Sequence, residues 1–440
     1  MGKKRIIALL LIAALSLSGC TMRTVDQMYC LPKRSEDHKD LRAAVDDAMA
    51  GLEYCAPLSG ENRQTLQSAD LDGDGTDEYL MFAKGNSDMP LRILIFDEVN
   101  DAFAHVTTIE SSGSAFDQVE YVQMDGEKGV EIVVGCQISD QPLRSVSIYQ
   151  YSKMEALRLH QTGYTKFLVV DLDGDSQTEL FVLSPGPTES DNGVAELYSV
   201  VNGAVERTNE VNMSGPADKL KRIIFGKLND GTPAVYAASS VEDTALITDV
   251  FITQESKLVN VTFSNESGTS LKTLRSYYVY AEDLDRDGVV ELPSLITMLP
   301  VNTDTVSTER HDLIRWYGMN RDGSEVDKLY TYHNFAGGWY ITLSDAWATR
   351  LSVLQQGNCY EYYIWSEVGL QCQKVFTVYV LTGPNRAEQA EESQRFVLLK
   401  TDSVIYCAEI HPDAETYNIT QQDVTKNFHL IETKWNTGET

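Results

Sequence analysis

The sequence predicts a mainly β protein: a five-bladed β-propeller, with six or seven blades as the alternative, followed by a C-terminal α+β domain. Three observations predict it. An acidic nonapeptide recurs, DLDGDGTDE at 70–78, DLDGDSQTE at 171–179 and DLDRDGVVE at 283–291. Each copy sits between strand-like runs, such as KFLVVD before the second and EYLMF after the first, whose β-branched and aromatic residues suit a pleated surface. The closing glutamates Glu78, Glu179 and Glu291 lie 101 and 112 residues apart. That is about twice the period of a propeller blade, so a worn copy is expected in each gap.

Both gaps contain one. Tyr121 to Gly135 keeps Gln123, Asp125, Glu127 and Glu131 in register, and Phe225 to Ser239 keeps the turn and following strand but has lost the acids. Each unit also offers two downstream strands: LRILIFDEV and AFAHVTTIE in the first, RSVSIYQYS and ALRLHQTGY in the second, VAELYSVVNG and AVERTNEVN in the third. The fourth has ITDVFITQ and VNVTFSN, and the fifth HDLIRWYGM and DKLYTYHNF. Four strands per unit of roughly 50 residues is the arithmetic of a ring that closes its own sheet edges.

The loops place side-chain oxygens at positions 1, 3, 5 and 9: Asp70, Asp72, Asp74 and Glu78; Asp171, Asp173, Asp175 and Glu179; Asp283, Asp285, Asp287 and Glu291. The carbonyl of position 7 (Thr76, Gln177, Val289) would add another. Calcium suits such a set, because it takes six to eight oxygens in a flexible shell. An EF-hand is excluded: position 12 is Met81, Val182 or Ser294 instead of glutamate, and the flanks are strands. The competing reading is of solvated Asp-Gly turns. Against it, several carboxylates crowded into one loop repel each other, and a cation removes that repulsion.

From roughly Arg63 to Phe335 these loops resemble FG-GAP (VCBS-type, integrin-alpha-like) propeller repeats. The resemblance implies structural calcium held by the acids named above. Two positions depart from it: Ser176 stands where the loop usually has glycine, and Gln123 replaces the first aspartate of the worn copy.

The chain begins with Lys3, Lys4 and Arg5, an apolar run from Ile6 to Leu17, then Ser18, Gly19 and Cys20. This reads as a secretory signal over 1–19, too short for a membrane span. Leu17-Ser18-Gly19-Cys20 resembles a bacterial lipobox, which implies cleavage before Cys20 and lipidation of its sulfur; an ordinary signal peptide with an incidental cysteine is the alternative. Two acyl chains anchor stably where one is marginal. The expected product is tethered to the cell membrane on its extracytoplasmic face, with residues 20–34 as the tether. Within 35–62, Leu41, Val45, Ala48 and Leu52 recur at helical spacing behind Ser35 as a cap, predicting one helix laid on the first blade and then a lead-in.

The formal charge is −29, and loss of the leader's three basic residues would make it −32. Such a field repels nucleic acid and anionic head groups, so membrane contact is expected through the lipid. Six cysteines remain besides Cys20, an even number that allows 15 pairings outside the cell. Cys359 with Cys372, across a hairpin, is the preferred pair, and Cys30 with Cys55 the next.

Beyond Phe335 the repeat ends at Gly337-Gly338. WYITL, CYEYYIWSEV, KVFTVYVLT and QRFVLLKTDSVIYCAEI read as strands, NRAEQAEES and TQQDVTKNFHLI as helices, giving an α+β domain over 336–440 that resembles small domains of secreted lipoproteins.

The seven histidines are scattered, and no HExxH, GxSxG or P-loop occurs. A glycosidase pair would need two carboxyls in distinct environments across a sugar-sized cleft, whereas the paired acids lie inside the repeated loops. The fifth-unit aromatics Tyr277, Tyr278, Tyr280, Trp316, Tyr317, Tyr330 and Tyr332 would line a carbohydrate face or, as strand alternation favours, the core. The expected function is therefore non-enzymatic binding of a protein or glycan at the envelope. The alternatives are an extracytoplasmic hydrolase of cell-wall polymer, with its site at the propeller mouth or in the C-terminal domain, and an assembly component.

Overall fold

The computed structural model describes residues 37–138, 144–188, 191–241, 245–276, 279–301, 311–366, 371–392 and 394–431. Cys20, its lipobox, the tether and Cys30 lie outside them.

The chain is mainly β, with six antiparallel sheets in succession. The first is built from 66–69, 78–84, 91–99 and 102–111, with 53–54 pairing further along 78–84. The second uses 115–122, 131–137, 144–152 and 155–164, and the third 166–170, 179–184, 194–201 and 204–212. The fourth uses 220–227, 233–241, 245–254 and 257–260. In these four sheets, the pair 53–54 aside, each strand pairs with the next in sequence. The fifth runs 292–297, 312–319, 325–334, 339–343 and then 428–430, and the sixth 351–356, 359–365, 372–382, 404–410 and 396–400.

The repeat is legible in the backbone. In each of the first four sheets the third and fourth strands are joined by two left-handed residues: Asn100-Asp101, Lys153-Met154, Asn202-Gly203 and Glu255-Ser256. That geometry matches the right-handed twist of the strands it joins. A register shift follows in the same strand pair of the first three sheets, at Ile95/Phe96, Ile148/Tyr149 and Leu197/Tyr198.

The second strands are buried on both faces and so read as continuous apolar runs rather than alternating ones. Ile132 and Val134 face the first sheet while Val133 faces the third; Leu180 and Val182 face the second sheet while Phe181 and Leu183 face the fourth. Val235 and Ala237 pack toward the third sheet, Ala234 and Tyr236 toward the fifth. A further cluster, with Trp339, Tyr362 and Phe376, joins the fifth sheet to the sixth.

The two end sheets differ. Leu80 and Phe82 face the second sheet, but Met81, Ala83, Leu94 and Phe96 on the opposite side are covered by Leu41, Val45 and Met49 from the helix Asp37–Ala48 and its C-terminal turn. On the sixth sheet, Leu381, Ile405 and Cys407 are covered by Ala390 from the short helix Arg386–Ala390. Among the described residues no hydrophobic cluster joins the sixth sheet to the first.

Three expectations change. The boundary at 335/336 falls inside the hairpin that pairs 325–334 with 339–343, and 428–430 extends the same sheet. Residues beyond 335 thus complete the fifth sheet and form a sixth, instead of starting with a break; the strand 351–356 was not expected, and Phe428–Leu430, expected as helix, is a strand. Cys359 and Cys372 are free thiols. Their hairpin exists, but Cys359 lies opposite Tyr379 and Cys372 opposite Trp365. Six residues of strand separate the cysteines, about 20 Å, against the ~7 Å limit for a disulfide. Cys55 is also free. Tyr280, Trp316, Tyr317, Tyr330 and Tyr332 are core residues, as strand alternation favoured; Tyr277 and Tyr278 lie outside the described residues.

Candidate cation sites

Two of the acidic loops connect the first strand of a sheet to the second, and the third leads into the first strand of the fifth sheet. Loop 70–78 joins 66–69 to 78–84, and loop 171–179 joins 166–170 to 179–184. Loop 283–291 follows a segment that reaches the fifth sheet only through the Glu282↔Glu291 bridge.

One hydrogen-bond pattern builds all three. The position-9 glutamate is buried and accepts the position-2 amide: Leu71 N to Glu78 Oε2 at 2.7 Å, Leu172 N to Glu179 Oε2 at 2.8 Å, Leu284 N to Glu291 Oε2 at 3.0 Å. The position-1 aspartate accepts the position-6 amide: Gly75 N to Asp70 Oδ2 at 3.1 Å, Ser176 N to Asp171 Oδ2 at 3.0 Å, Gly288 N to Asp283 Oδ2 at 2.9 Å. Ser176 takes the left-handed backbone (φ 74°) that glycine has at Gly75 and Gly288, so the substitution leaves the loop's path intact. The position-7 amides of Thr76, Gln177 and Val289 donate to Asp74, Asp175 and Asp287 respectively.

Carboxylate oxygens of Asp70, Asp72 and Glu78 come within 4.8 Å of one another, as do those of Asp171, Asp173 and Glu179. In the third loop the converging set is Asp283, Asp285 and Asp287. The sequence had grouped positions 1, 3, 5 and 9; position 5 stands outside the first two clusters and position 9 outside the third.

The electrostatics favour a cation. Burial, with Asp72 and Asp97 nearby, pushes Glu78 up to about 7. Burial pushes Glu179 to about 8 and Glu291 to about 7, and Asp72 and Asp173 are raised by burial and their acidic neighbours. A carboxylate raised by desolvation and like charge is held neutral at a cost that a divalent ion removes. Glu291 is fully buried, and its Oε1 has no hydrogen-bond partner. Such an orphaned acceptor is costly unless something is bound to it.

The worn copy at 123–131 repeats the framework with one change. Met124 N donates to Glu131 Oε2 at 2.9 Å, Gly126 N to Gln123 Oε1 at 2.9 Å and Glu127 N to Asp125 Oδ1 at 2.8 Å, as in the acidic loops. Where those loops have a second aspartate oxygen, Gln123 has an NH₂. It donates to Asp125 Oδ1 at 3.2 Å and to the Glu127 carbonyl at 2.8 Å. An amide thus satisfies oxygens that a cation would otherwise gather. Gln150 Nε2 occupies the other Asp125 oxygen at 3.1 Å. The identity of Gln123 was visible in the sequence; its partners were not, because Gln150 is on another strand.

Neighbouring loops are stitched together. Val130 N donates to Leu71 O, Thr178 N to Gln123 O, and Val290 N to Lys227 O. In the fourth copy, Asp230 accepts from Thr232 N and from Arg321 N of the fifth sheet's hairpin turn.

A second feature is the cleft, of about 1130 Å³, between the first strands of the second, third and fourth sheets and the lead-in 58–63. The lead-in is hydrogen-bonded beside strand 115–122 through Leu58 N to Phe116 O and Ser59 N to Asp117 O. No sequence pattern announced this cleft, since its lining residues are spread over the lead-in and three sheets.

No family model matches the chain, and no curated protein matches it. Solved structures with likeness to it include the exotype rhamnogalacturonan lyase YesX (11% identity, TM-score 0.30, 69% of this chain and 74% of that one). Others are the rhamnogalacturonan lyase PL11 of Bacillus licheniformis (10% identity, TM-score 0.29, 74% and 89%) and a protein from Lactobacillus plantarum (10% identity, TM-score 0.29, 72% and 85%).

Proposed function

We propose that this chain is a cell-envelope lipoprotein anchored through Cys20, whose six sheets act as the blades of a propeller-like scaffold stiffened by calcium, and that it binds a protein or glycan without catalysing a reaction. The observation that carries the reading is the repetition of one loop geometry at three points in the chain, with three carboxylates converging in each and Glu291 Oε1 orphaned in the third. When bound, calcium would supply positive charge at the loops that lead into these strands, held by Asp70, Asp72 and Glu78, by Asp171, Asp173 and Glu179, and by Asp283, Asp285 and Asp287. Its role would be structural, with the weak affinity of extracellular modules, a Kd of about 10⁻⁴ to 10⁻³ M.

A thermal scan tests the metal: millimolar calcium raises the melting temperature of the wild type, and less so in Asp70→Ala. No calcium response at all would refute it. Cys20→Ala tests the anchor: the variant leaves the membrane fraction, and a variant that stayed there would refute lipidation as the tether. Pull-down from envelope extract with and without chelator tests binding and metal together.

A further inference from the structure

We propose that the segment ahead of the first helix, Val25 to Pro32, docks in the apolar groove between that helix and the first sheet, and so holds the scaffold close to the membrane that carries Cys20. The membrane half rests on the lipid anchor proposed above; the docking half does not.

The groove has a volume of about 440 Å³ and is walled by Leu41 and Val45 of the helix Asp37–Ala48 and by Tyr54, Leu66 and Tyr79 of the first sheet. Tyr54 keeps 62% of its surface exposed and Leu66 37%. Tyr79 is braced by an edge-on contact with Phe103 at 5.2 Å, so that wall is fixed. The other two lining residues, Arg42 and Asp46, pair with each other at 3.7 Å. The groove therefore offers apolar surface and no uncompensated charge.

The segment has the matching chemistry. Val25, Met28, Tyr29, Leu31 and Pro32 put five apolar residues into eight, where a solvated linker would be polar. Methionine's unbranched thioether fills irregular gaps, and tyrosine brings a large apolar face. Charge agrees. Residues 20–36 carry Arg23, Lys33 and Arg34 against Asp26 and Glu36, whereas the exposed charges described on the helix are Asp40, Asp46 and Asp47 against Arg42. A net-basic piece of an acidic chain thus meets an acidic helix.

Reach is sufficient. Pro32 disfavours helical backbone at Leu31, so the helix is not continued back through the segment. Val45 lies eight residues beyond Asp37, about 12 Å along the helix. Residues 33–36, extended, cover about 13 Å, enough for the chain to double back to that level. A second copy of the protein is the poorer occupant. Two exposed side chains beside so small a groove fall far short of the roughly 800 Å² per partner of a stable interface. A segment joined to one wall of its own groove needs much less contact, because a short link gives it an effective concentration in the millimolar range. The consequence is a shorter tether. Seventeen residues, Cys20 to Glu36, span up to about 58 Å when extended, but residues 20–24 alone only about 17 Å.

The test is hydrogen exchange read by mass spectrometry on the mature chain in detergent. After correction for intrinsic rates, the amides of 25–32 should exchange at least tenfold more slowly in the wild type than in Tyr54→Ala with Leu66→Ala. Met28→Asp with Tyr29→Asp should lose the same protection while altering no residue of the sheets. Unprotected amides in the wild type overturn the proposal, as does protection that survives the groove variant. A dimer in sedimentation that dissociates in the groove variant overturns it in favour of a second copy. On a supported bilayer, neutron reflectometry should show the gap between bilayer and protein widening in the groove variant; an unchanged gap overturns the membrane half. The two readings fail separately: a Cys20→Ala variant that stays in the membrane fraction sinks the anchor and leaves the exchange pattern of 25–32 as it was, whereas lost protection with Cys20→Ala released from the membrane sinks the docking alone.

Discussion

Replacing Gln123 by aspartate should convert the amide-closed second loop into a cation site. In the wild type the Gln123 NH₂ donates to Asp125 and to the Glu127 carbonyl. The substitution deletes both bonds and sets a carboxylate against Asp125 within a loop that already contains Glu127 and the buried Glu131. Without calcium it should therefore destabilise by about 1–3 kcal/mol, the cost of unmade hydrogen bonds with some like-charge repulsion. With calcium the sign of the dependence reverses. A site with a Kd of about 10⁻⁴ to 10⁻³ M gains about 1.4–2.7 kcal/mol at ~10 mM calcium, enough to recover most of the loss. Met124 N keeps Glu131 Oε2 as its acceptor in the variant, and Gly126 N, which donates to Gln123 Oε1 in the wild type, gains the new aspartate oxygen in its place, as Gly73 N donates to Asp70 Oδ1, so the loop has no reason to change path.

The assay is calcium stoichiometry by titration calorimetry, with melting temperature in chelator and in calcium as the second readout. The wild type should bind three ions and Gln123→Asp four; the variant should melt lower than wild type in chelator and close to it in calcium. Four ions in the wild type would refute the claim that the amide stands in for a cation. An unchanged stoichiometry together with a loss of stability that calcium does not recover would refute the claim that these loops are cation sites held open by their first aspartate.

Other consequences are shorter to state. Glu131 is buried and pushed up to about 7 from 4.5, so the stability it supports is complete below about pH 4.5 and is lost as pH rises through 7; Glu131→Gln, which cannot ionise and still accepts from Met124 N, should gain on the wild type by up to about 3 kcal/mol between pH 5 and pH 8 in urea unfolding, and a pH-independent difference would refute the assignment. Leu41→Ala uncovers Met81 and Phe96 and should cost about 2–5 kcal/mol, measured by the same unfolding; a cost near zero would mean the helix is not part of the folded unit. Asp249, fully buried, accepts from Ser214 N, Asn260 and Ser270; Asp249→Ala should cost about 3–5 kcal/mol by stranding those donors. Cys359 and Cys372 should both take up a thiol reagent without prior reduction, and recovery of a peptide pair linked between them would contradict the register of their hairpin.

How much of this was legible in the chain depends on the range of the interaction involved. Most strands of the first four sheets were readable because each is a local run of β-formers between turn residues, and the repeat multiplied the signal. The aromatic residues around Trp316 went to the core for the reason that alternation gives. The helix over Leu41 and Val45 was readable from its stripe, and its seat on the first sheet followed from that stripe needing cover. What failed was pairing between segments far apart. Strand 428–430 joins 339–343 across nearly 90 residues, and no local pattern records it. The preferred disulfide failed for a related reason: proximity in sequence placed the two cysteines in one hairpin, but register placed them at its opposite ends.

The same distinction bears on closure of the ring. Blade arithmetic predicts that every sheet is covered on both faces by a neighbouring sheet, and the second to fifth sheets obey it. In the first sheet, Met81, Ala83 and Phe96 are met by the helix Asp37–Ala48, and in the sixth, Leu381 and Ile405 are met by Ala390. A sheet face already covered by a helix has little exposed apolar area left to drive docking onto another sheet. The helices thus act toward the end sheets as capping elements do in a linear repeat array, where terminal units present a polar outer face. The sequence could announce the helix but not this consequence, because the stripe that seats it is the same whether the sheet beyond it lies open or faces a sixth blade.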